Sequence, residues 1–352
     1  MLYSALLHED CLYLSFHAEQ VYQNFSFYGD GDYTLDSNLG YFCTELKIDT
    51  IERIKNEFAL VDTGIIKRII IDCGNITESR NPKSEFDGLI QYVINKKIAL
   101  SIIRVGVKLY GDLNLKQYIQ EFNTIASEQN EKEYTDFFIN QANFNTKNFD
   151  EFIFELFQKD FISRVRDKYL EPNPKKVSNS SNVYLPRYIN LKPFIEDREF
   201  SYFGLYLLCK KAINESIIPK LNKRDTPRKT ILFFQSLNGA YLASIFSKLA
   251  LIDMAYIDHV GPINKIYRTI LKNNFEFQNN YLIMSDVICM GTEEKIVKSL
   301  IEYENSFVIG NLAIVKIEPI TGKTIKEKAC SLFILSKENN ELIGYKINTD
   351  FE

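Results

Sequence analysis

Tryptophan is absent from this chain of 352 residues, and histidine occurs three times. With histidines only at 8, 17 and 259, no H-x-x-x-H pair exists to hold a metal from one helix face, and a Ser-His-Asp or Cys-His hydrolase has little to build on. Cysteines stand at 11, 43, 73, 209, 289 and 330, never as C-x-x-C, which speaks for buried free thiols in a reducing compartment and against a zinc site. Basic residues are not in excess: 42 Lys plus Arg face 46 Asp plus Glu, so no broad positive field awaits nucleic acid. No apolar run approaches the roughly 18 residues of a membrane span. The opening stretch, MLYSALLHEDCLYLSF, is broken by His8, Glu9 and Asp10 and has no basic leader. Neither a membrane segment nor a signal peptide is expected, and the expected location is the cytoplasm.

What is there is an ordinary globular balance, with 45% apolar and 25% charged residues, and a length that suggests about two domains. CLYLSFH (11–17) reads as a strand. Residues 44–60 carry Leu46, Ile48, Ile51, Ile54, Phe58 and Leu60 at near-helical spacing. RIIIDCG (68–74) is a β-branched run closed by glycine. SEFDGLIQYVINKK follows as a helix opened by Ser84, and ALSIIRVGV (99–107) as the next buried strand. This βαβ unit predicts an α/β domain over 1–113. Residues 114–170, rich in phenylalanine, read as a helical connector, and 171–182, EPNPKKVSNSSN, as a linker. A second domain is expected over 183–352.

Residues 67–105, through IIIDCGNITES and the helix and strand after it, resemble the STAS family, with Asn81, Pro82, Lys83 and Ser84 where that family places a small Ser-Gly pair. The resemblance implies a small STAS-like α/β domain at the amino-terminal end.

The most informative stretch is 230–320. TILFF leads into a polar turn with Asn238-Gly239 and a helix, and AYIDHV (255–260) reads as a short strand. YLIM (281–284) is a buried strand, 285–292 an acid-bearing turn, 293–304 a helix and 307–317 a further strand. A loop leaving the carboxyl end of a parallel strand and entering a helix aims several N–H groups at one point, and the positive helix end adds to them. Gly291 permits close approach there, Thr292 offers a hydroxyl, and Asp286 sits where ligand hydroxyls lie in an open α/β sheet. The same residues also suit an ordinary strand–turn–helix joint with a solvated Asp.

LIMSDVICMGTE (282–293) resembles the type I phosphoribosyltransferase hallmark, in which a hydrophobic strand, an acidic pair and a few small residues precede Gly-Thr at a helix start. Gln235-Ser236-Leu237-Asn238-Gly239, about 50 residues upstream, falls where this family has its pyrophosphate loop, and 184–213 resembles the approach segment of orotate-type members. The resemblance implies an α/β fold with a parallel sheet flanked by helices, and a site for phosphoribosyl pyrophosphate with Mg²⁺ held through the substrate. Cys289, Met290, Gly291, Thr292 and Glu293 would hold the 5-phosphate, and Asp286, beside Ser285, the ribose hydroxyls. Ser236, Leu237, Asn238 and Gly239 would meet pyrophosphate, and Lys265 and Arg268 would supply cations to it as it leaves, with Lys272 on the same stretch. Those three cations, spaced i, i+3 and i+7, equally suit one solvated helix face.

Three residues depart from the pattern: Ser285 replaces the first acid, Met290 a small hydroxyl residue, and Glu293 adds negative charge beside the phosphate turn. The expected activity is phosphoribosyl transfer to an unknown nucleophile. The alternative is a lapsed enzyme that senses phosphoribosyl pyrophosphate or a nucleotide and acts through its amino-terminal domain. Such a two-domain fusion suits a bacterial regulatory or defence role. The expected partners are a phosphorylated sugar or nucleotide, and a homodimer mate or a protein at the amino-terminal domain.

Overall fold

The computed structural model of the protein describes residues 2–8, 10–17, 35–36, 41–42, 44–46, 48, 50–52, 54–55, 66–74, 76–79, 83–118, 123–129, 132–139, 149–172, 183–184, 187–218, 228–250, 252–256, 278–289, 291–318, 329–344 and 348–349. The chain forms two compact units, Met1–Asp160 and Phe161–Glu352.

The first unit is organised on a six-stranded mixed sheet. β1 (Leu2–His8) and β2 (Cys11–His17) form an antiparallel hairpin. β2, β3 (Arg68–Asp72) and β4 (Ala99–Gly106) run parallel. β5 (Asn123–Gln129) and β6 (Lys132–Ile139) add a second hairpin, so the order is β1-β2-β3-β4-β6-β5. Ile69 to Asp72 are all buried, as an inner parallel strand requires. Between β3 and β4, α1 (Lys83–Asn95) buries Phe86, Leu89, Ile90 and Val93, the i, i+3, i+4, i+7 stripe of an amphipathic helix, in one core with Ile69, Ile71, Leu100 and Ile102. A short α2 (Val107–Asp112) follows β4 directly.

The expected βαβ unit is present, and the STAS-like resemblance gains no support beyond it. The helical reading of 114–170 needs correction, because Asn123–Gln129 and Lys132–Ile139 are the paired strands β5 and β6. The run KEYTDFFI is rich in aromatic and β-branched residues, which favour a pleated strand. Phe137 and Phe138 become strand residues because β4 offers a partner edge, where they pair with Ile102 and Ser101. Among the described residues after this hairpin, helix returns at α3 (Phe149–Arg164).

A buried polar network sits at the carboxyl ends of β3 and β4. The Arg104 guanidinium pairs in a fork with both oxygens of Asp72, which also accept from the Tyr13 hydroxyl and the Gly74 N–H. Arg104 itself has φ +55°, and its N–H donates to Asp136 Oδ1 at 2.7 Å where the β4–β6 register shifts. A non-glycine residue in the left-handed region is strained by about 1–2 kcal/mol, and the network on both sides of Arg104 holds it there.

The second unit carries a five-stranded, fully parallel sheet. Its strands are β7 (Thr230–Phe234), β8 (Asp253–Tyr256), β9 (Asn280–Cys289), β10 (Phe307–Ile317) and β11 (Ala329–Leu335), in the order β8-β7-β9-β10-β11. Helices cover both faces. Two short helical segments come first, α4 (Lys192–Glu196) and the longer α5 (Arg198–Asn214); α5 packs on α6 (Leu237–Ala250) and β11, and α6 on β7, β8 and β9. On the other face α7 (Thr292–Tyr303) sets Val297, Leu300 and Ile301 against Ile231, Phe233, Tyr281 and Ile283. Phe161 anchors the carboxyl end of α3 in an aromatic group with Tyr169, Phe194, Phe200 and Phe333.

Candidate functional site

In the second sheet the chain moves outward from β7 to β8, then crosses back to β9 and continues the other way. Such a reversal leaves the loops after the two inner strands splayed apart at their carboxyl ends, and open α/β sheets bind ligands in the crevice between them. Here that point lies between β7 and β9. The segments flanking it are the two that the sequence singles out, 235–239 and 285–292.

The first is not a free loop. Ser236 is the N-cap of α6: its carbonyl accepts from the Ala240 N–H, and its Oγ from the Gly239 N–H at 2.9 Å. Leu237, Asn238 and Gly239 are therefore the first turn of α6. A Cβ at Gly239 would meet Ser236 Oγ at 3.0 Å and the Met284 carbonyl at 3.4 Å, so glycine lets the helix start come close to β9. Leu237 is 88% exposed at this edge.

The second loop is shorter than expected. β7 pairs with β9 only to Ile283, but β10 pairs with β9 as far as Cys289, so the 285–292 turn is corrected to a strand through 289 followed by a tight entry to α7. Gly291 makes that entry with φ +65°, a conformation costly to other residues, and it is the N-cap of α7 without a side-chain cap.

Strand alternation then separates the candidate residues. Asp286 faces α6 and accepts from Asn238 Nδ2 at 2.8 Å, while its other oxygen accepts from the Val287 N–H. Ser285 points to the opposite face, is buried, and lies 3.1 Å from Glu294 Oε1 as its hydroxyl donates. Cys289 shares that side. Burial, and then the Glu294 charge, push its thiol up to about 11. Glu293, exposed in the first turn of α7, accepts from Gln235 Nε2 at 3.2 Å. The two loops are thus tied twice, by Asn238–Asp286 and by Gln235–Glu293. Met290, Lys265, Arg268 and Lys272 lie outside the described residues.

Three further residues near these loops carry no signal in the sequence. Glu294 is buried at 4% exposure in the first turn of α7, three residues after Gly291, a spacing that suits a capping carboxylate. Tyr188 and Glu171 lie directly opposite each other in a short antiparallel ribbon, Leu170–Pro172 with Arg187–Ile189. Partial burial raises the Tyr188 phenol above its ordinary value, and the charges of Asp286, Glu171 and Glu293 raise it further. Among the described residues no Lys or Arg forms an ion pair with Asp286, Glu293 or Glu171. The crevice is acidic on its described walls. Among the same residues no three His, Cys, Asp or Glu side chains gather as a metal-binding group. No described helix is long and apolar enough to cross a membrane.

No known protein family matches the chain, and no curated protein matches it by sequence. Solved structures that align with it include three phosphoribosyltransferases. Orotate phosphoribosyltransferase from Aeropyrum pernix shares 14% identity over 52% of this chain and 99% of its own, with a TM-score of 0.35. Adenine phosphoribosyltransferase from Leishmania donovani shares 15% identity over 51% and 83%, with a TM-score of 0.31. The Trypanosoma brucei adenine enzyme, in complex with AMP, pyrophosphate and ribose-5-phosphate, shares 14% over 51% and 83%, with a TM-score of 0.34. At these values the likeness bears no weight for the chemistry, which rests on the crevice itself.

Proposed function

We propose that the second unit is a phosphoribosyltransferase-like module that takes phosphoribosyl pyrophosphate with Mg²⁺ in the crevice between β7 and β9 and transfers the phosphoribosyl group to an unidentified nucleophile. The observation that carries this reading is the Asn238–Asp286 hydrogen bond, which sets a helix start and a carboxylate side by side at the point where the sheet reverses. Asp286 would accept hydrogen bonds from the ribose hydroxyls. The N–H groups opening α7 at Gly291 and Thr292 would meet the 5-phosphate, and those opening α6 the pyrophosphate. The nucleophile bonds to the anomeric carbon as the bond to pyrophosphate breaks, and the nucleophile's proton is lost to solvent. Positive charge builds on the sugar as the leaving group departs, and Asp286 would stabilise it by position and charge. Mg²⁺ offsets charge on the pyrophosphate when bound and would arrive with that substrate.

A second reading, a sensor that binds the donor without turning it over, is favoured by one specific feature. Ser285, at the first acid position of the motif, points to Glu294, so a single carboxylate is left for the ribose diol.

Calorimetric titration of phosphoribosyl pyrophosphate with Mg²⁺ into wild type and Asp286→Ala tests the shared part of both readings. Binding lost in the variant supports the site, and no heat with wild type sinks it. Pyrophosphate release with a panel of acceptors separates the two, since a sensor binds and releases none.

A further inference from the structure

The first unit has a cleft of its own, of about 360 Å³, at the carboxyl end of β4. That is within the range of small-ligand pockets, about 300–1,000 Å³. Gly74 and Gly106 supply bare main chain to its walls, Ile76, Val107 and Leu109 supply apolar surface, and Lys108 and Glu133 bring one charge of each sign. Val107 is 75% exposed. Neither Lys108 nor Glu133 forms an ion pair with a described residue.

Gly106 is the telling residue. Its φ of −70° and ψ of 157° suit any amino acid, and a Cβ built on it would meet nothing within 4 Å. Neither backbone conformation nor tight packing requires glycine here, although glycine in a strand is less favourable than alanine by about 0.5–1 kcal/mol. What the missing side chain does is keep the cleft open. The wall beside it is rigid. The Arg104 guanidinium lies so close over Gly74 that a Cβ there would sit 2.5 Å from Nε, and that guanidinium is fixed by Asp72 while the Arg104 N–H is fixed by Asp136. Residue 104 holds its strained backbone two positions before Gly106, and strain of this kind gathers at ligand sites when the surroundings enforce it.

We propose that this cleft binds a small zwitterion with a short apolar side chain, of the α-amino-acid class. Lys108 meets the carboxylate, Glu133 the ammonium group, and Ile76, Val107 and Leu109 the side chain, with Gly106 allowing the ligand to lie against the main chain. One cation and one anion, each without a described ion-pair partner, beside a small apolar wall match no singly charged ligand as well.

The test is calorimetry on the full-length protein with L-leucine, L-isoleucine and L-valine, and, for each one that binds, with its two analogues that lack one charge, the decarboxylated amine and the deaminated acid (isoamylamine and 4-methylpentanoate for leucine). At least one amino acid binds, and its matching single-charge analogues bind at least about tenfold more weakly. Lys108→Gln removes the advantage over the amine, and Glu133→Gln the advantage over the acid. Gly106→Leu fills the cleft and abolishes binding with an unchanged melting temperature, whereas Gly111→Leu, on α2 and away from the cleft, leaves binding intact. No heat from any of the three amino acids overturns the proposal. So does equal binding of the single-charge analogues, or binding that survives Gly106→Leu.

Discussion

Asn238 donates to Asp286 across the crevice at 2.8 Å, and these two side chains stand 48 residues apart in the chain. The bond joins the start of α6 to the end of β9, beyond Ile283 where the β7 pairing stops. Its removal tests whether the crevice works as a unit. A hydrogen bond to a charged group contributes about 1.5–3 kcal/mol when buried, and less at a partly exposed site. Asn238→Ala is expected to weaken phosphoribosyl pyrophosphate binding about tenfold, while the melting temperature falls by no more than about 2–4 °C. Calorimetry and a thermal melt on the same sample check both halves.

Ser285→Asp restores the acidic pair of the motif on paper. In the fold it brings a second carboxylate against buried Glu294, away from Asp286. The expected result is a loss of about 2 kcal/mol or more in stability without tighter ligand binding. Adding Glu294→Gln to that variant recovers much of the loss. Urea unfolding of the single and double variants measures it, and improved ligand affinity in Ser285→Asp would show that residue 285 reaches the crevice.

The Asp72–Arg104 pair makes the first unit sensitive to acid. Burial alone would raise the Asp72 carboxyl, but the Arg104 charge and hydrogen bonds from Arg104, Tyr13 and Gly74 outweigh it and hold the group below its ordinary value. A carboxyl depressed by folding contributes stability above its unfolded pKa, near 3.9, and loses it as pH falls through the lower folded value. Stability is therefore expected to be flat in this respect at neutral pH and to decline below about pH 4. Arg104→Met leaves the carboxylate buried and unpaired and costs about 3–5 kcal/mol at pH 7. Denaturant curves at pH 7 and in acid, for wild type and variant, read both effects.

Thiol chemistry follows burial. Cys11, Cys73, Cys209, Cys289 and Cys330 are all free, and burial is the leading cause that raises each thiol. Cys289 is pushed up to about 11, so at pH 8 only about a thousandth of it is thiolate. Native protein is expected to resist iodoacetamide at these positions at pH 8 and to be labelled after unfolding, as peptide mass spectrometry will show. Rapid native labelling of Cys289 would mean that the end of β9 opens.

Much of the second sheet was legible because its strands are continuous apolar runs. Phe307–Ile317 has the expected bounds, and α7 and β7 match within a residue or two. The extent of β9 was not legible. Its last residues, Ser285 to Cys289, read as a turn because Ser, Asp and Cys interrupt the apolar run, yet β10 holds them as strand over that whole length. The β5–β6 hairpin was missed for the related reason that KEYTDFFI takes its conformation from β4. Asp286, Asn238 and Gly239 were singled out at the ends of apolar strands and by the family resemblance, and the fold brings Asn238 and Asp286 within hydrogen-bond reach. Tyr188 was not, because its place depends on pairing with Glu171 across a linker that carries no local signal.

The unequal lengths of β7 and β9 have one more outcome. From Met284 to Cys289, β9 is paired along one side only among the described residues, so the crevice wall there is peptide as well as side chain. Peptide donors and acceptors at a fixed repeat of about 3.3 Å give a ligand something to grip that no codon change short of proline deletes. Alanine scanning of this wall will then understate its contribution, because each variant keeps the peptide groups that line it.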